Sequence, residues 1–396
     1  MRVRTRVVIL LAIIASLFSF AKFSQCESTT WAGPNQYIHA CYSDLPALFS
    51  ERTFGKGGWV FDGGDQAAEY PALQGVVMWA TAKVSPDGPV SYFNFSAILL
   101  SLLFIASCYL VYRMKPEIAI VYALAPTGIL ALFINWDLWA IPTMLLAIYW
   151  FDRKQELASA AILGVSIATK FFPIVLLLPI VLILIRKSKI RELIIYITYT
   201  SITWLLINLP FIITTPAGWF RFFKLNSERA ADWGSIWHAL EIFGLKVNHL
   251  NLISMIAFAV LALAFTLFVY GISEVPKLAS IAFFIVAIFV TASKVYSPQY
   301  ILWLTPLAIL AMVDKKDRSD FWIWQFAELI YHFAIWQYLA EVSGASFAIP
   351  AGAYAVAILL RVVALTWFSL RIMRRSTPKF GPQNLEFLSG VGQGYA

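Results

Sequence analysis

Apolar runs recur along the chain from residue 7 to residue 370, and this recurrence limits the possible folds more than any other feature. A helix needs roughly 20 apolar residues to cross the ~30 Å hydrocarbon core of a bilayer, and several of these runs reach that length. Composition agrees: of 396 residues 60 % are apolar and 13 % charged, against about 25 % charged in an ordinary soluble domain. A water-soluble globule is excluded, as are the disordered, collagen-like and disulfide-scaffold classes. The formal net charge of +8 is not the footprint of a nucleic-acid partner, because Lys and Arg are spread over short loops and form no basic domain. The expected fold class is an all-α polytopic membrane protein surrounded by lipid.

Spans are expected near 7–22, 92–112, 117–134, 138–151, 157–169, 173–186, 193–213, 252–272, 278–292, 300–313, 321–338 and 351–370, twelve in all. Arg2, Arg4 and Arg6 precede the first run and hold the N-terminus in the cytoplasm by the positive-inside rule. The rival reading is a signal peptide cleaved near Ser19-Phe20-Ala21. Either way residues 23–91 form a long first extracytoplasmic loop. The loops that this scheme places inside hold Arg113, Lys115, Arg153, Lys154, the Arg186–Arg191 run, Lys277, Lys315, Lys316, Arg318, Arg371, Arg374, Arg375 and Lys379, as the rule requires. The expectation is a multi-pass plasma-membrane protein with both termini cytoplasmic: one transmembrane domain over 1–380 and a flexible Gly- and Pro-rich tail over 381–396.

Cys26 and Cys41 share the first outer loop, either as a disulfide, which an oxidising compartment permits, or as two free thiols. Cys108 lies within a span and reads as a small apolar residue.

The runs 138–151, 157–169, 173–186, 278–292 and 300–313 are too short to span; at 1.5 Å per residue they reach only ~20 Å. Their outer ends carry Asn135-Trp136-Asp137, Thr169-Lys170-Phe171-Phe172-Pro173 and Ser293-Lys294 through Gln299-Tyr300. Polar turns survive at membrane depth where they line a wet or protein-walled cavity. An outward-open cleft is therefore expected, roofed by the first outer loop. Pro173 and Pro298 suit the first turn of a helix, so Lys170 and Lys294 stand beside positively polarised N-termini fit for a phosphate. Against these roles, Asp137 could be an N-cap and the two lysines could snorkel. Arg361, inside the last span, is either paired or near the headgroups. A second outer loop over 214–251 holds Arg221, Lys224, Glu228, Arg229, Asp232, Trp237 and His238, a composition suited to carbohydrate or phosphate or simply to solvated charge. His238 and His249 have no metal-ligand spacing, and no Walker or dinucleotide-binding glycine pattern occurs, so neither metal nor cofactor is expected.

Cys41-Tyr42-Ser43-Asp44, followed by Glu69-Tyr70-Pro71 and Gly75, resembles the first-loop signature of family 87 glycosyltransferases, integral-membrane enzymes of the GT-C type. The resemblance continues in order through Asn135-Trp136-Asp137, Lys170-Phe171-Phe172-Pro173, the Arg229–Trp237 stretch and Ser297-Pro298-Gln299-Tyr300. It implies an enzyme that takes a sugar, typically mannose in actinobacteria, from a polyprenyl-phosphate donor and adds it to a glycolipid or glycan acceptor outside the plasma membrane. It also implies that Asp44 is the catalytic base. The mycobacterial phosphatidylinositol-mannoside mannosyltransferases of that family have paired histidines after a Ser-Pro motif, whereas this chain reads Ser297-Pro298-Gln299-Tyr300-Ile301-Leu302-Trp303, which leaves acceptor and sugar open.

The chemistry needs one base and some cations, because the sugar already carries a stabilised anionic leaving group. Asp44 would deprotonate the acceptor hydroxyl in a single inverting displacement. Lys170, Lys294 and Arg229 would hold the phosphate. Tyr42, Glu69, Asn135, Asp137, Trp237 and Gln299 complete the expected substrate-binding set, with Glu69 either a second base candidate or a loop anchor and Tyr42 and Trp237 either sugar contacts or packing. A lipid or lipid-linked-sugar flippase, another transferase on the same scaffold and an inactive structural subunit are the rival classes.

Overall fold

The computed structural model describes residues 4–85 and 88–376; Arg2, Lys379 and the tail expected over 381–396 lie outside the described residues. It is 76 % helical, with no strand among the described residues. Among the described residues, five helices are long and apolar enough to cross a membrane. They are Thr5–Ser24, Pro89–Met114, Ile190–Thr214, Leu250–Gly271 and Ala351–Ser376. Leu250–Gly271 turns Leu252, Val260, Leu263 and Leu267 outward, an apolar surface that water would not tolerate and lipid does.

Shorter apolar helices fill the interior: Glu156–Thr169, Phe172–Arg186, Leu278–Ala292 and Pro298–Ala311. Every residue of Ile301–Ala311 is buried, so protein and not lipid surrounds this short segment. The expected span over 117–134 is corrected: it is broken into Ile120–Ala123 and Pro126–Ala131. Pro126 restricts the residue before it, and Ala125 is accordingly extended (φ −65°, ψ 109°). Lys316–Val342 runs 27 residues and packs along Ala351–Ser376, burying Asp317, Asp320, Gln325, Glu328 and His332.

At one end of the bundle, basic side chains close the carbonyl-rich ends of neighbouring helices, where helix dipoles favour cations. Arg186 donates to the carbonyls of Val269 (2.9 Å) and Ile272 (2.7 Å). Lys115 donates to those of Ile309 (3.1 Å), Leu310 (3.2 Å) and Met312. Arg375 bridges Asp317 and Asp320.

The opposite end carries the polar turns and residues 23–85. Cys26 and Cys41 form a disulfide, with Cα atoms 6.1 Å apart, and both are buried. Deep in the bundle, Arg361 is paired: its Nε lies 3.0 Å from Glu328 Oε2 and its guanidinium is sandwiched 3.3 Å from the Tyr296 and 3.9 Å from the Tyr331 ring centroids. Arg361 Nη1 also donates to the Tyr296 carbonyl at 2.9 Å, so the two last helices hold the turn that precedes Pro298.

Candidate functional site

One wall is built around Asp44. Ser43 caps the Asp44–Glu51 helix: its Oγ accepts from the Leu45 N–H at 3.2 Å and donates to the Phe133 carbonyl at 2.6 Å. The Asp44 N–H donates to the Ile134 carbonyl at 2.7 Å, which fastens the helix start to the Asn135 turn. Tyr42 Oη donates to Asp44 Oδ1 at 2.7 Å and Asn135 Nδ2 to Asp44 Oδ2 at 2.6 Å. Burial raises the Asp44 carboxyl above its ordinary range, while these two hydrogen bonds and the Lys170 charge draw it partly back. The Asp44 charge in turn pushes the Tyr42 phenol well up, which keeps it a donor.

Asn135 is the hub of this wall. Its Oδ1 accepts from Lys170 Nζ at 3.1 Å and its Nδ2 also meets Tyr70 Oη at 2.8 Å. Lys170 Nζ lies 3.2 Å from Asp137 Oδ2, and Trp303 Nε1 donates to Asp137 Oδ1 at 2.7 Å. Asp137 is wholly buried behind Lys170 and does not line the cavity. Among the described residues its carboxylate bonds Lys170 and Trp303 and caps no backbone N–H; it is the counter-ion of Lys170. Glu69 lines the cavity but is held by Arg52 through Nε (2.8 Å) and Nη2 (2.6 Å), a bidentate pair.

The facing wall comes from the turn before Pro298 and the segment after Glu228. Lys294 Nζ donates to the backbone carbonyls of Arg229 (2.7 Å) and Ser227 (3.4 Å). The Asp232 N–H donates to the Lys294 carbonyl at 2.8 Å. Asp232 takes Arg229 Nη2 at 2.7 Å and Ser297 Oγ at 3.1 Å. Pro298 opens the short helical turn that leads into Ile301–Ala311, as its spacing predicts. Tyr300, Trp303 and Phe172 stack in sequence, with centroids 3.6 and 3.8 Å apart, and join the two walls.

Between the walls lies a cavity of about 990 Å³. Tyr42, Asp44, Glu69, Asn135, Lys170, Arg229, Lys294 and Gln299 all line it. Trp237 does not: its Nε1 donates to the Ala292 carbonyl at 3.0 Å, closing the end of the Leu278–Ala292 helix. One flank is apolar, formed by Phe222, Phe223, Met255 and Phe289.

No family model matches the chain, and no curated protein matches it. The chemistry of the cavity must be read from its own residues. Asp232 and Trp233 line it and Arg52 stands behind it holding Glu69, although none of the three is in the expected substrate-binding set. Asp232 and Trp233 did carry a signal, since both fall in the Arg229–Trp237 motif, whereas nothing near Arg52 in the sequence marks it.

Proposed function

We propose that this chain is an inverting GT-C-type glycosyltransferase resembling family 87. It moves a sugar, mannose first among candidates, from a polyprenyl-phosphate donor to a glycolipid or glycan acceptor. In this reading the five long helices and the shorter interior ones make about twelve membrane segments in the plasma membrane. The termini are cytoplasmic and the cavity faces the extracytoplasmic side, since the basic helix ends lie opposite it.

The observation that carries the reading is a partly buried carboxylate, Asp44, oriented by two hydrogen-bond donors and facing cations across a cavity of about 990 Å³. Asp44 accepts the proton of an acceptor hydroxyl as that oxygen bonds to the anomeric carbon. The bond from that carbon to the phosphate oxygen breaks, its electron pair stays on the phosphate, and the configuration inverts. Lys294 offsets the charge growing on the phosphate, and Arg229, paired with Asp232 but 36 % exposed, is the second cation beside it. Lys170 acts differently, because its charge is already matched by Asp137 and its contact with Asn135 fixes the amide that holds Asp44. The apolar flank suits an isoprenoid chain.

The test is transfer of radiolabelled mannose from polyprenyl-phosphate mannose to endogenous lipid or glycan acceptors by purified protein in membranes, followed by the anomeric configuration of the product. Transfer with inversion supports the reading; no transfer from this or other polyprenyl-phosphate sugars, or transfer with retention, sinks it.

A further inference from the structure

The cavity holds two side chains whose polar groups no described residue bonds. Gln299 is 7 % exposed and lines the cavity, yet its amide makes no hydrogen bond among the described residues. Trp233 lines the same cavity, is 42 % exposed, and its Nε1 has no partner among the described residues. The residue as a whole is buried, but its amide opens on the cavity, where a ligand can reach it.

The segments that carry both groups are tied to the fold. The Trp233 carbonyl accepts from Tyr354 Oη at 2.8 Å, and its indole stands edge-on to His238 (5.1 Å between centroids) and Tyr338 (5.9 Å). Gly234 follows, where any Cβ would collide with Tyr331 Oη and the Tyr296 carbonyl, so the Trp233 backbone is pressed against the Tyr296 turn. The Asp232–Ser297 and Asp232–Lys294 hydrogen bonds clamp the Trp233 segment to the segment that bears Gln299.

An exposed indole and an unspent amide lining one cavity match one kind of ligand. A sugar ring offers a face of C–H bonds to the electron-rich π surface. Its adjacent hydroxyls offer donor and acceptor together to an amide that has both. We propose that Trp233 and Gln299 form a sugar-binding subsite for the acceptor, and hence that the acceptor presents a glycan ring and not a simple lipid hydroxyl. This rests on the glycosyl-transfer reading. Trp233 is 42 % exposed and lies in the 214–251 stretch, which the glycosyl-transfer reading puts outside the membrane, and this assigns the subsite to the acceptor and not to the donor sugar between the walls.

The test uses the full chain in lipid nanodiscs and saturation-transfer NMR with methyl α-mannoside, methyl β-glucoside and methyl α-arabinofuranoside as probes. At least one probe should receive saturation, with a loss of fivefold or more in Trp233→Ala and in the near-isosteric Gln299→Leu, and recovery in Trp233→Phe. No signal from any probe with the unaltered protein, or equal signals in both variants, overturns the subsite. In the transfer assay the same variants should raise the acceptor KM at least tenfold and the donor KM less than twofold; a rise in donor KM alone overturns the acceptor assignment. Absence of transfer by the unaltered protein would count against glycosyl transfer itself, and the NMR result would still decide whether the subsite binds sugars.

Discussion

The two walls of the cavity handle charge in opposite ways. On the Asp44 wall, side chain answers side chain: Tyr42 and Asn135 on Asp44, Asp137 on Lys170, Arg52 on Glu69. On the Lys294 wall Arg229 and Ser297 likewise answer Asp232, but the Lys294 ammonium is held by backbone carbonyls and the Gln299 amide has no partner among the described residues. A reciprocal network fixes geometry, since each member over-determines the next. Backbone carbonyls position an ammonium without cancelling its charge. The first wall is therefore built to hold one carboxylate in one place, and the second keeps donors in reserve for an anionic or polyhydroxylated visitor.

The severest way to break this contrast is to release the second wall from its support. Glu328→Gln leaves Arg361 buried without its partner carboxylate, and losing one member of a buried pair costs about 3–5 kcal/mol. Thermal unfolding in detergent should show a large loss of stability, and an unchanged midpoint would mean that the pair does not hold the Tyr296 turn. Next in size is Lys294→Met, which should weaken binding of polyprenyl phosphate by about tenfold or more, a charge-assisted contact being worth ~1.5–3 kcal/mol. Lys170→Met should weaken it much less; equal losses from both lysines would erase the distinction between the walls.

The smallest effect sharpens the contrast most. Burial already raises the Asp44 carboxyl and the Lys170 charge pulls it down, so removing that charge raises it further. A base works ionised, so transfer should require a higher pH in Lys170→Met. The acid limb of the pH profile should move upward, whereas in Lys294→Met it should stay in place. An acid limb that does not move in Lys170→Met would separate Lys170 from Asp44.

Much of the helical frame is legible in the sequence because long apolar runs are measured against a fixed bilayer thickness, as at 92–112 and 252–272. Shortness is equally legible, and it located the Lys170 and Lys294 turns. The break at Ala125 was missed because an apolar run hides a proline whose effect is on the residue before it. Partnerships across the sequence leave no local mark: Arg361 finds Glu328 on another helix, and Arg52 finds Glu69 across the first polar stretch. Trp233 and Trp237 show the limit most sharply. They share one motif, but Ser235 starts a new helix at Ile236, turning Trp237 toward the Ala292 carbonyl and leaving Trp233 on the cavity. Asp137 has the same lesson, since the side that its carboxylate faces is set by Lys170 and Trp303, which lie 33 and 166 residues away.

The most direct measurement compares the unaltered protein with Asp44→Asn for both transfer and binding in the same membranes. The amide keeps the shape of the carboxylate and removes the base, so sugar transfer from polyprenyl-phosphate mannose should fall by about 10²–10⁴-fold while the polyprenyl phosphate binds as before on the Lys294 wall. Equal transfer by the two proteins would contradict the assignment of Asp44 as the base, and with it the account of the first wall.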